Sequence, residues 1–276
     1  DFLDIYTYAR KKGFLISIFT NGTLVTPQIA DYLSKLPPYS IEITLNGITK
    51  DVYEEITQVK GSFEKAMQAV YLIKEKNLPL VLKCNGMKIN KHEILKIKEF
   101  SERLLGKGCF RCDLVILPRL DGSREPLKLR LSPEEIFDIQ YLDKDMLGLC
   151  KKQFLNHKDN PYLNNSYLFP CGFNSFYLDP YRSMRLCFFV KDAYADLGKE
   201  EFLTAFRRRD KYLHSLKFKA DIKCRNCEII YLCRQCPALA LVECGDMESP
   251  VEFFCELAHR QEDKKIEVLN IMKGGI

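Results

Sequence analysis

The sequence has no tryptophan and only four histidines, and the histidines show no metal-ligand spacing. Histidine-centred metal or acid–base chemistry therefore has no support in the pattern. No apolar run approaches the ~20 residues that cross a bilayer, and no segment has the basic and apolar regions of a secretory signal peptide. We expect a cytoplasmic protein with no membrane partner.

The chain also has little excess of positive over negative charge. The formal net charge is only +5 over 276 residues, which does not point to nucleic acid as a partner. The densest basic run is "FRRRDK" at 206–211, and we interpret it as the solvated face of a helix. The length allows one large domain, or a large and a small one.

Strand-like and helix-like segments alternate over the first 120 residues. Helical patterns separate the apolar runs, and the first of them opens with Thr26 as a cap and Pro27 at the first helical position. This alternation predicts βαβ units and a parallel sheet. The predicted strands are 14–19, 41–45, 78–83 and 113–117, and the predicted helices are 26–36, 62–76 and 91–106.

Each predicted strand leads into a small polar residue and a glycine: "TNG" at 20–22, "NG" at 46–47, "NG" at 85–86 and "DG" at 121–122. Any one of these is ordinary turn chemistry. Four at the carboxyl ends of parallel strands indicate the edge where α/β folds bind ligands.

The strand–helix alternation stops near residue 150. A helix is predicted at 132–147, opened by Ser132 and Pro133, and it is followed by loops, a hairpin around 175–189 and a last helix at 255–272. Nine of the twelve cysteines lie at or beyond Cys150, which predicts a second region organised by cysteine.

The cysteine spacing leaves several interpretations open. A disulfide scaffold is the weakest, because such scaffolds are usual in small secreted domains. Two Cys-x2-Cys pairs can hold zinc, but zinc ribbons place a dozen or more residues between the pairs and this chain has five. Close Cys-x2-Cys spacing favours iron–sulfur clusters. The candidate ligands are Cys171, Cys187, Cys224, Cys227, Cys233, Cys236, Cys244 and Cys255.

The segments "CGFNSFYLDPYRSMRLC", "CRNCEIIYLCRQCP" and "ECGDMESPVEFFCE" together resemble the SPASM domain of radical S-adenosylmethionine (SAM) enzymes. The segments "IFTNGTLVT" and "ITLNGITKDVYEEITQVKGSFEKAMQAV" resemble the third and fourth barrel strands of that family. The resemblance covers essentially the whole chain. It implies a partial (β/α)6 barrel without its first strands at 1–130, a linking helix at 131–155 and a SPASM domain at 156–276.

The resemblance also implies two auxiliary [4Fe–4S] clusters with interleaved ligands. Cys224, Cys227, Cys233 and Cys255 would hold the outer cluster, whereas Cys171, Cys187 and Cys236 would hold the inner one. The fourth inner ligand is left between Cys150, Cys244 and an open iron position. SAM contacts are expected at the strand ends, from Thr20, Asn21, Thr44, Asn46, Lys83 and Asn85.

The chain departs from the family pattern at three places. Arg182 replaces a glycine in the hairpin, and Cys233 and Cys236 are separated by two residues instead of three. In the fourth-strand turn, Thr44 and Asn46 stand where the family has serine and aspartate.

The Cys-x3-Cys-x2-Cys of the SAM-binding cluster is not in the sequence, and Asp1 opens directly in a helix that follows Gly-Gly-Glu in the family. We therefore expect an N-terminally truncated chain that is inactive alone, and the alternative is a degenerate relative of the family. The resemblance implies hydrogen abstraction by a 5′-deoxyadenosyl radical from a ribosomal peptide or protein, with SAM as cofactor and a flavodoxin or ferredoxin as electron donor. The alternative hypothesis is a non-catalytic zinc- or iron–sulfur-binding interaction module.

Overall fold

The structure is a computed structural model that describes residues 1–155, 175–190, 193–217 and 222–271. The chain divides into two compact units. The first unit comprises residues 1–116 and 129–131, and the second comprises 117–128 and 132–276.

A four-stranded parallel sheet forms the first unit, with the strands in the order β1-β2-β3-β4. This confirms the predicted α/β class with a parallel sheet. The strands are β1 (Ser17–Thr20), β2 (Ser40–Thr44), β3 (Leu80–Asn85) and β4 (Phe110–Asp113). The helices are α1 (Phe2–Lys11), α2 (Pro27–Lys35), α3 (Lys50–Thr57), α4 (Ser62–Glu75) and α5 (Ile94–Leu105).

The core of the first unit lies on one face of the sheet. Alternate residues of β2 and β3, such as Ile43 and Leu82, are fully buried there. Helix α4 contributes small and branched residues, including Ala69 and Ile73, which are also fully buried. Because side chains alternate along a strand, the opposite face carries the residues in between, such as Glu42 and Lys83.

Local chemistry sets several boundaries of this unit. The Thr26 hydroxyl accepts a hydrogen bond from the Ile29 N–H at 3.3 Å, which confirms it as the cap of α2. Gly47 lies against the backbone of α3, where an added Cβ would stand 2.7 Å from the Tyr53 nitrogen. The NG turn after β2 therefore needs glycine for close packing.

Three predicted element positions were wrong. The fourth strand is Phe110–Asp113 and not 113–117, because pairing with β3 ends at Asn85 and Asp113 and the Asp113 carboxylate then accepts the Val115 N–H in a turn. The DG pair at 121–122 therefore does not directly follow the strand. There Asp121 accepts the Ser123 N–H in a turn of its own.

The predicted helix at 132–147 is two helices, α6 (Pro133–Leu142) and α7 (Lys144–Leu155). Asp143 breaks it, since its carboxylate accepts the backbone N–H groups of Asp145 and Met146 and caps α7. The predicted last helix is likewise divided at Lys264.

Short elements form the rest of the second unit. Three antiparallel strands, in the order β5-β6-β7, extend the predicted hairpin. The strands are β5 (Tyr177–Leu178), β6 (Ser183–Arg185) and β7 (Ala193–Asp196). The helices that follow are α8 (Phe202–Ser215), α9 (Pro237–Cys244), α10 (Glu252–Asp263) and α11 (Lys265–Ile271). Within the described ranges, no helix is both long enough and apolar enough to cross a membrane.

Candidate metal centre and strand-end site

Four cysteine side chains of the second unit line one cavity of about 140 Å³. Cys224, Cys227 and Cys233 come from the loop before α9, and Cys255 comes from the first turns of α10. Cys236, which lies in the same thirteen-residue stretch of sequence, is not among the lining residues. The other lining residues are Lys223, Ile229, Ile230, Ala258 and His259.

Tight turns wind the loop so that its thiols reach the cavity. Two 3-10 turns, Lys223–Asn226 and Ile230–Leu232, contain or precede the three loop cysteines. The N–H of Cys233 donates to the Ile230 carbonyl at 2.9 Å, and its thiol contacts the Phe254 carbonyl of α10 at 3.6 Å. The loop is thus tied to the helix that carries Cys255.

The cavity thiols influence one another electrostatically. Burial raises the pKa of Cys233 to about 12, and the neighbouring Cys255, Cys224 and Cys227 thiolates push this pKa in the same direction. Burial also raises the pKa of Cys224, with Cys255 and Cys227 as the next causes. A bound metal group would relieve this mutual repulsion, because thiolates are the ligand form and the metal carries the compensating charge.

Cys236 and Cys187 belong to a different environment. Both pack against an apolar cluster built around Leu186, Leu213 and Ala238. Burial raises the pKa of Cys236, the N–H groups at the start of α9 lower it, and the nearby Cys187 raises it. The structure therefore brings Cys187 and Cys236 together, apart from the cavity. Cys171 lies outside the described residues.

Neither candidate for a fourth inner ligand lies beside this pair. Cys150 is buried in another apolar cluster, with Phe137 and Phe154. Cys244 is exposed at the far end of α9, eight residues from Cys236, which corresponds to about 12 Å along the helix axis. The cysteines of the described residues are all free thiols, so no disulfide scaffold exists among them.

In the described part of the chain, no group of three or more His, Cys, Asp or Glu side chains could hold one metal ion. Zinc with Zn–S bonds of ~2.3 Å places its four sulfurs about 3.8 Å apart. A four-iron cluster binds each cysteine at a different iron and needs a wider ring of sulfurs. The four thiols that line the cavity match in number the four irons of such a cluster.

The predicted strand-end residues fall into two groups. Thr44 and Lys83 are neighbours in the register of β2 and β3, and the Asn85 N–H donates to the Asn46 side-chain oxygen at 2.9 Å. The Lys83 ammonium stands 5.4 Å from the centre of the Phe19 ring on the same face. Thr20 instead pairs with Ile43 and so faces the helices, while Asn21 accepts the Thr23 N–H in the turn.

Two residues that our sequence analysis missed support this edge. Asn90 has no exposed surface, and its side chain donates to the carbonyls of Asn46 and Asn85 and accepts the Met87 N–H. The Glu93 carboxylate accepts the N–H groups of Ile48 and Thr49 beyond the NG turn. The only signal was the spacing "NKHE", which resembles a capping box before an apolar helix.

The first unit is similar in sequence to a known protein family. Residues 1–101 match the model of the radical SAM superfamily. Among curated proteins, an Fe-coproporphyrin III synthase of Methanosarcina barkeri is 27% identical over 174 residues, which is 59% of this chain and 42% of that protein. A PqqA peptide cyclase of Ruegeria pomeroyi is 25% identical over 114 residues, which is 41% of this chain and 30% of that one. The chain thus spans less than half the length of these relatives.

Solved structures share the fold over nearly the entire chain. The enzyme anSMEcpe with bound AdoMet superposes with a TM-score of 0.65 at 16% identity, covering 100% of this chain and 77% of that chain. The same enzyme with AdoMet and a Kp18Cys peptide gives a TM-score of 0.62 at 17% identity, covering 99% of this chain and 81% of that one. At such identities the likeness establishes the fold.

Proposed function

We propose that this protein works as a radical SAM enzyme on a peptide or protein substrate, because residues 1–101 match the model of the radical SAM superfamily. We further propose that residues 1–130 form a partial radical SAM barrel and that residues 156–276 form a SPASM-type domain with auxiliary [4Fe–4S] clusters. Residues 131–155 would link these two domains. Peptide is favoured as substrate by the neighbour that binds a Kp18Cys peptide and by the PqqA peptide cyclase.

The observation that carries the proposal is the convergence of Cys224, Cys227, Cys233 and Cys255 on one cavity while Cys236 joins Cys187. A zinc site built from the two Cys-x2-Cys pairs would require Cys236 in the first group. The observed grouping instead supports the interleaved ligand pattern of a SPASM domain, despite the short spacing between Cys233 and Cys236.

Auxiliary clusters bound at these two positions would supply electron transfer to or from the substrate. The chain's contribution is to shield them. Ile230 and Ala258 cover the cavity, and the cluster around Leu186 and Ala238 shields the Cys187–Cys236 pair. Apolar side chains beside a bound cluster would raise the effect of nearby charges on it.

We propose that SAM binds at the strand ends beside Thr44, Asn46, Lys83 and Asn85. When bound to a reduced four-iron cluster, SAM supplies a 5′-deoxyadenosyl radical. Thr44 and Lys83 offer a hydroxyl and a cation on the face away from the helices. Asn46 keeps an oxygen acceptor where the family has aspartate, and the Asn85 N–H occupies that acceptor.

The sequence contains no Cys-x3-Cys-x2-Cys, so we expect these residues to form 5′-deoxyadenosine only together with that motif. We also propose a cytoplasmic location and an electron donor such as a flavodoxin or ferredoxin.

A second candidate substrate is a porphyrin, since the longer of the two alignments above is with an Fe-coproporphyrin III synthase. The test is to isolate the protein anaerobically from its own cells, reduce it with dithionite and add SAM. Peptides encoded beside its gene and Fe-coproporphyrin are offered separately, and 5′-deoxyadenosine and substrate mass are measured.

We expect 5′-deoxyadenosine to rise only with a peptide, together with a mass change in that peptide. Turnover with the porphyrin alone would contradict the peptide assignment. Zinc without acid-labile sulfide in the same preparation would contradict the enzyme proposal and favour the non-catalytic interaction module.

A further inference from the structure

Gln235 lies at the point where the two groups of thiols meet in the sequence. It stands two residues after Cys233, which lines the cavity, and directly before Cys236, which does not. Its side chain is buried, and a buried amide is costly unless hydrogen bonds satisfy both its oxygen and its NH2 group. The position of Gln235 therefore depends on contacts that folding supplies.

Both ends of the Gln235 amide contact the segment that leads into α10. The NH2 group donates to the Ser249 carbonyl at 3.0 Å, and the amide oxygen accepts the Val251 N–H at 3.1 Å. Because one partner is an acceptor and the other a donor, only this orientation of the amide satisfies both. Gln235 thus fixes the backbone just before the helix that carries Cys255.

Further contacts join this backbone to two of the cavity thiols. The Val251 carbonyl accepts the N–H of Cys255 at 3.2 Å, so the residue that Gln235 holds also holds Cys255. Burial is the main cause of the raised pKa of Cys233, and a hydrogen bond from the Gln235 N–H opposes it. The Gln235 backbone therefore contacts Cys233, while its side chain reaches Cys255 through Val251.

We propose that Gln235 is a positioning residue that holds Cys255 beside Cys233, so that both can bind one iron–sulfur group in the cavity. This inference rests on the function proposed above. Residues that hold metal ligands by hydrogen bonds typically change metal affinity by about 10- to 100-fold when they are mutated. The group in the cavity should therefore depend on Gln235, whereas the group at Cys187 and Cys236 should not.

The test compares Gln235→Leu with Gln261→Leu in the whole protein, reconstituted anaerobically with iron and sulfide. Leucine is close to glutamine in size but makes neither amide hydrogen bond. Gln261 is the matched control, because it is a buried glutamine of α10 that does not line the cavity. Iron and acid-labile sulfide per chain, the rate at which a chelator removes iron, and the unfolding temperature of the metal-free protein are measured.

Cys255→Ala identifies the iron that belongs to the cavity, since this variant should release only the iron of the other group. We expect Gln235→Leu to release the cavity iron about tenfold faster than the wild type and the remaining iron at the wild-type rate. Gln261→Leu should behave like the wild type. In the Cys255→Ala background, Gln235→Leu should have no further effect, because it acts through the missing ligand.

Equal acceleration for both groups of iron would show a general loss of structure and overturn the positioning role. Unchanged release of the cavity iron would overturn it as well. If Gln235→Leu does not fold, Gln235→Met takes its place with the same expectations, because the unbranched methionine side chain adapts to irregular gaps.

A measurement on the metal-free protein needs no cluster. A bifunctional thiol reagent should bridge Cys255 to Cys233 in the wild type and in Gln261→Leu, and less in Gln235→Leu, as read from peptide masses. Equal bridging in all three would overturn the inference. Failure of the proposed function looks different, because the wild-type chain would then bind no iron and sulfide although bridging still depended on Gln235.

Discussion

At the scale of single residues, the cavity thiols combine burial with mutual repulsion. Each of them is only partly exposed, and burial is the largest cause of the raised pKa values of Cys224 and Cys233. Metal-free protein should therefore hold Cys224 and Cys233 protonated near neutral pH, and their binding to metal should release protons.

The pKa of Cys233 sets a pH dependence of stability in the metal-free protein. Its folded value of about 12 lies above its ordinary value of 9.0, so the folded state binds this proton more tightly. The stabilisation is present below pH 9 and is lost as the pH rises from about 9 to 12. We expect urea unfolding to show a free energy of unfolding that falls over this window.

Cys233→Ala isolates this effect from the titration of lysine and tyrosine. The variant should show a shallower fall above pH 9 than the wild type. Equal slopes for the two proteins would contradict the buried, protonated Cys233.

At the scale of elements, the β5–β6 hairpin carries backbone strain at Arg182. Arg182 has φ = +68°, in the left-handed region that disfavours residues with a Cβ. We expect Arg182→Gly to raise the free energy of unfolding by about 1 kcal/mol. Arg182→Ala, which removes the same long side chain but keeps the Cβ, is the control. A glycine variant less stable than the alanine variant would contradict this account.

The edge at the ends of β2 and β3 depends on one buried amide. Asn90→Ala leaves the Met87 N–H and the carbonyls of Asn46 and Asn85 without their partner. We expect a loss of about 3 kcal/mol in the free energy of unfolding by chemical denaturation. The exposed neighbour His92→Ala should change it by less than about 0.5 kcal/mol. A similar small change in Asn90→Ala would show that the network does not stabilise this edge.

These elements also show what a sequence can predict. Thr26 with Pro27 is a local cap signal, and alternating apolar residues identify β2 and β3, because both depend on neighbours in the chain. Asn90 and Arg209 gave no such signal, although neither has exposed surface. Their roles depend on the carbonyls of Asn46 and Leu186, which only folding brings near them. From the sequence alone, both polar residues are expected in a turn or on the surface. The interpretation of 206–211 as a solvated helix face was therefore wrong at Arg209.

Helix ends were predicted less well for a similar reason. The pattern around Asp143 is compatible with one long helix, and only the capping of Asp145 and Met146 shows that a second helix begins there. The ends of β4 are set by its pairing with β3 and not by the apolar run at 113–117.

At the scale of the whole molecule, the two units would carry different parts of the proposed function. The first matches the radical SAM superfamily and presents Thr44 and Lys83 at its strand ends. The second gathers thiols in two places, four on the cavity and Cys187 with Cys236 in an apolar cluster. Under the proposed function, the thirteen-residue stretch with four cysteines would serve two sites.

The most direct test of this division is iron and acid-labile sulfide per chain in anaerobically reconstituted variants. Cys255→Ala should lose one cluster, about four irons, and adding Cys224→Ala should cost no more, since both thiols serve the same group. Combining Cys255→Ala with Cys236→Ala should instead remove about eight irons. Additive losses for Cys224 and Cys255, or no further loss on removing Cys236, would contradict two interleaved sites.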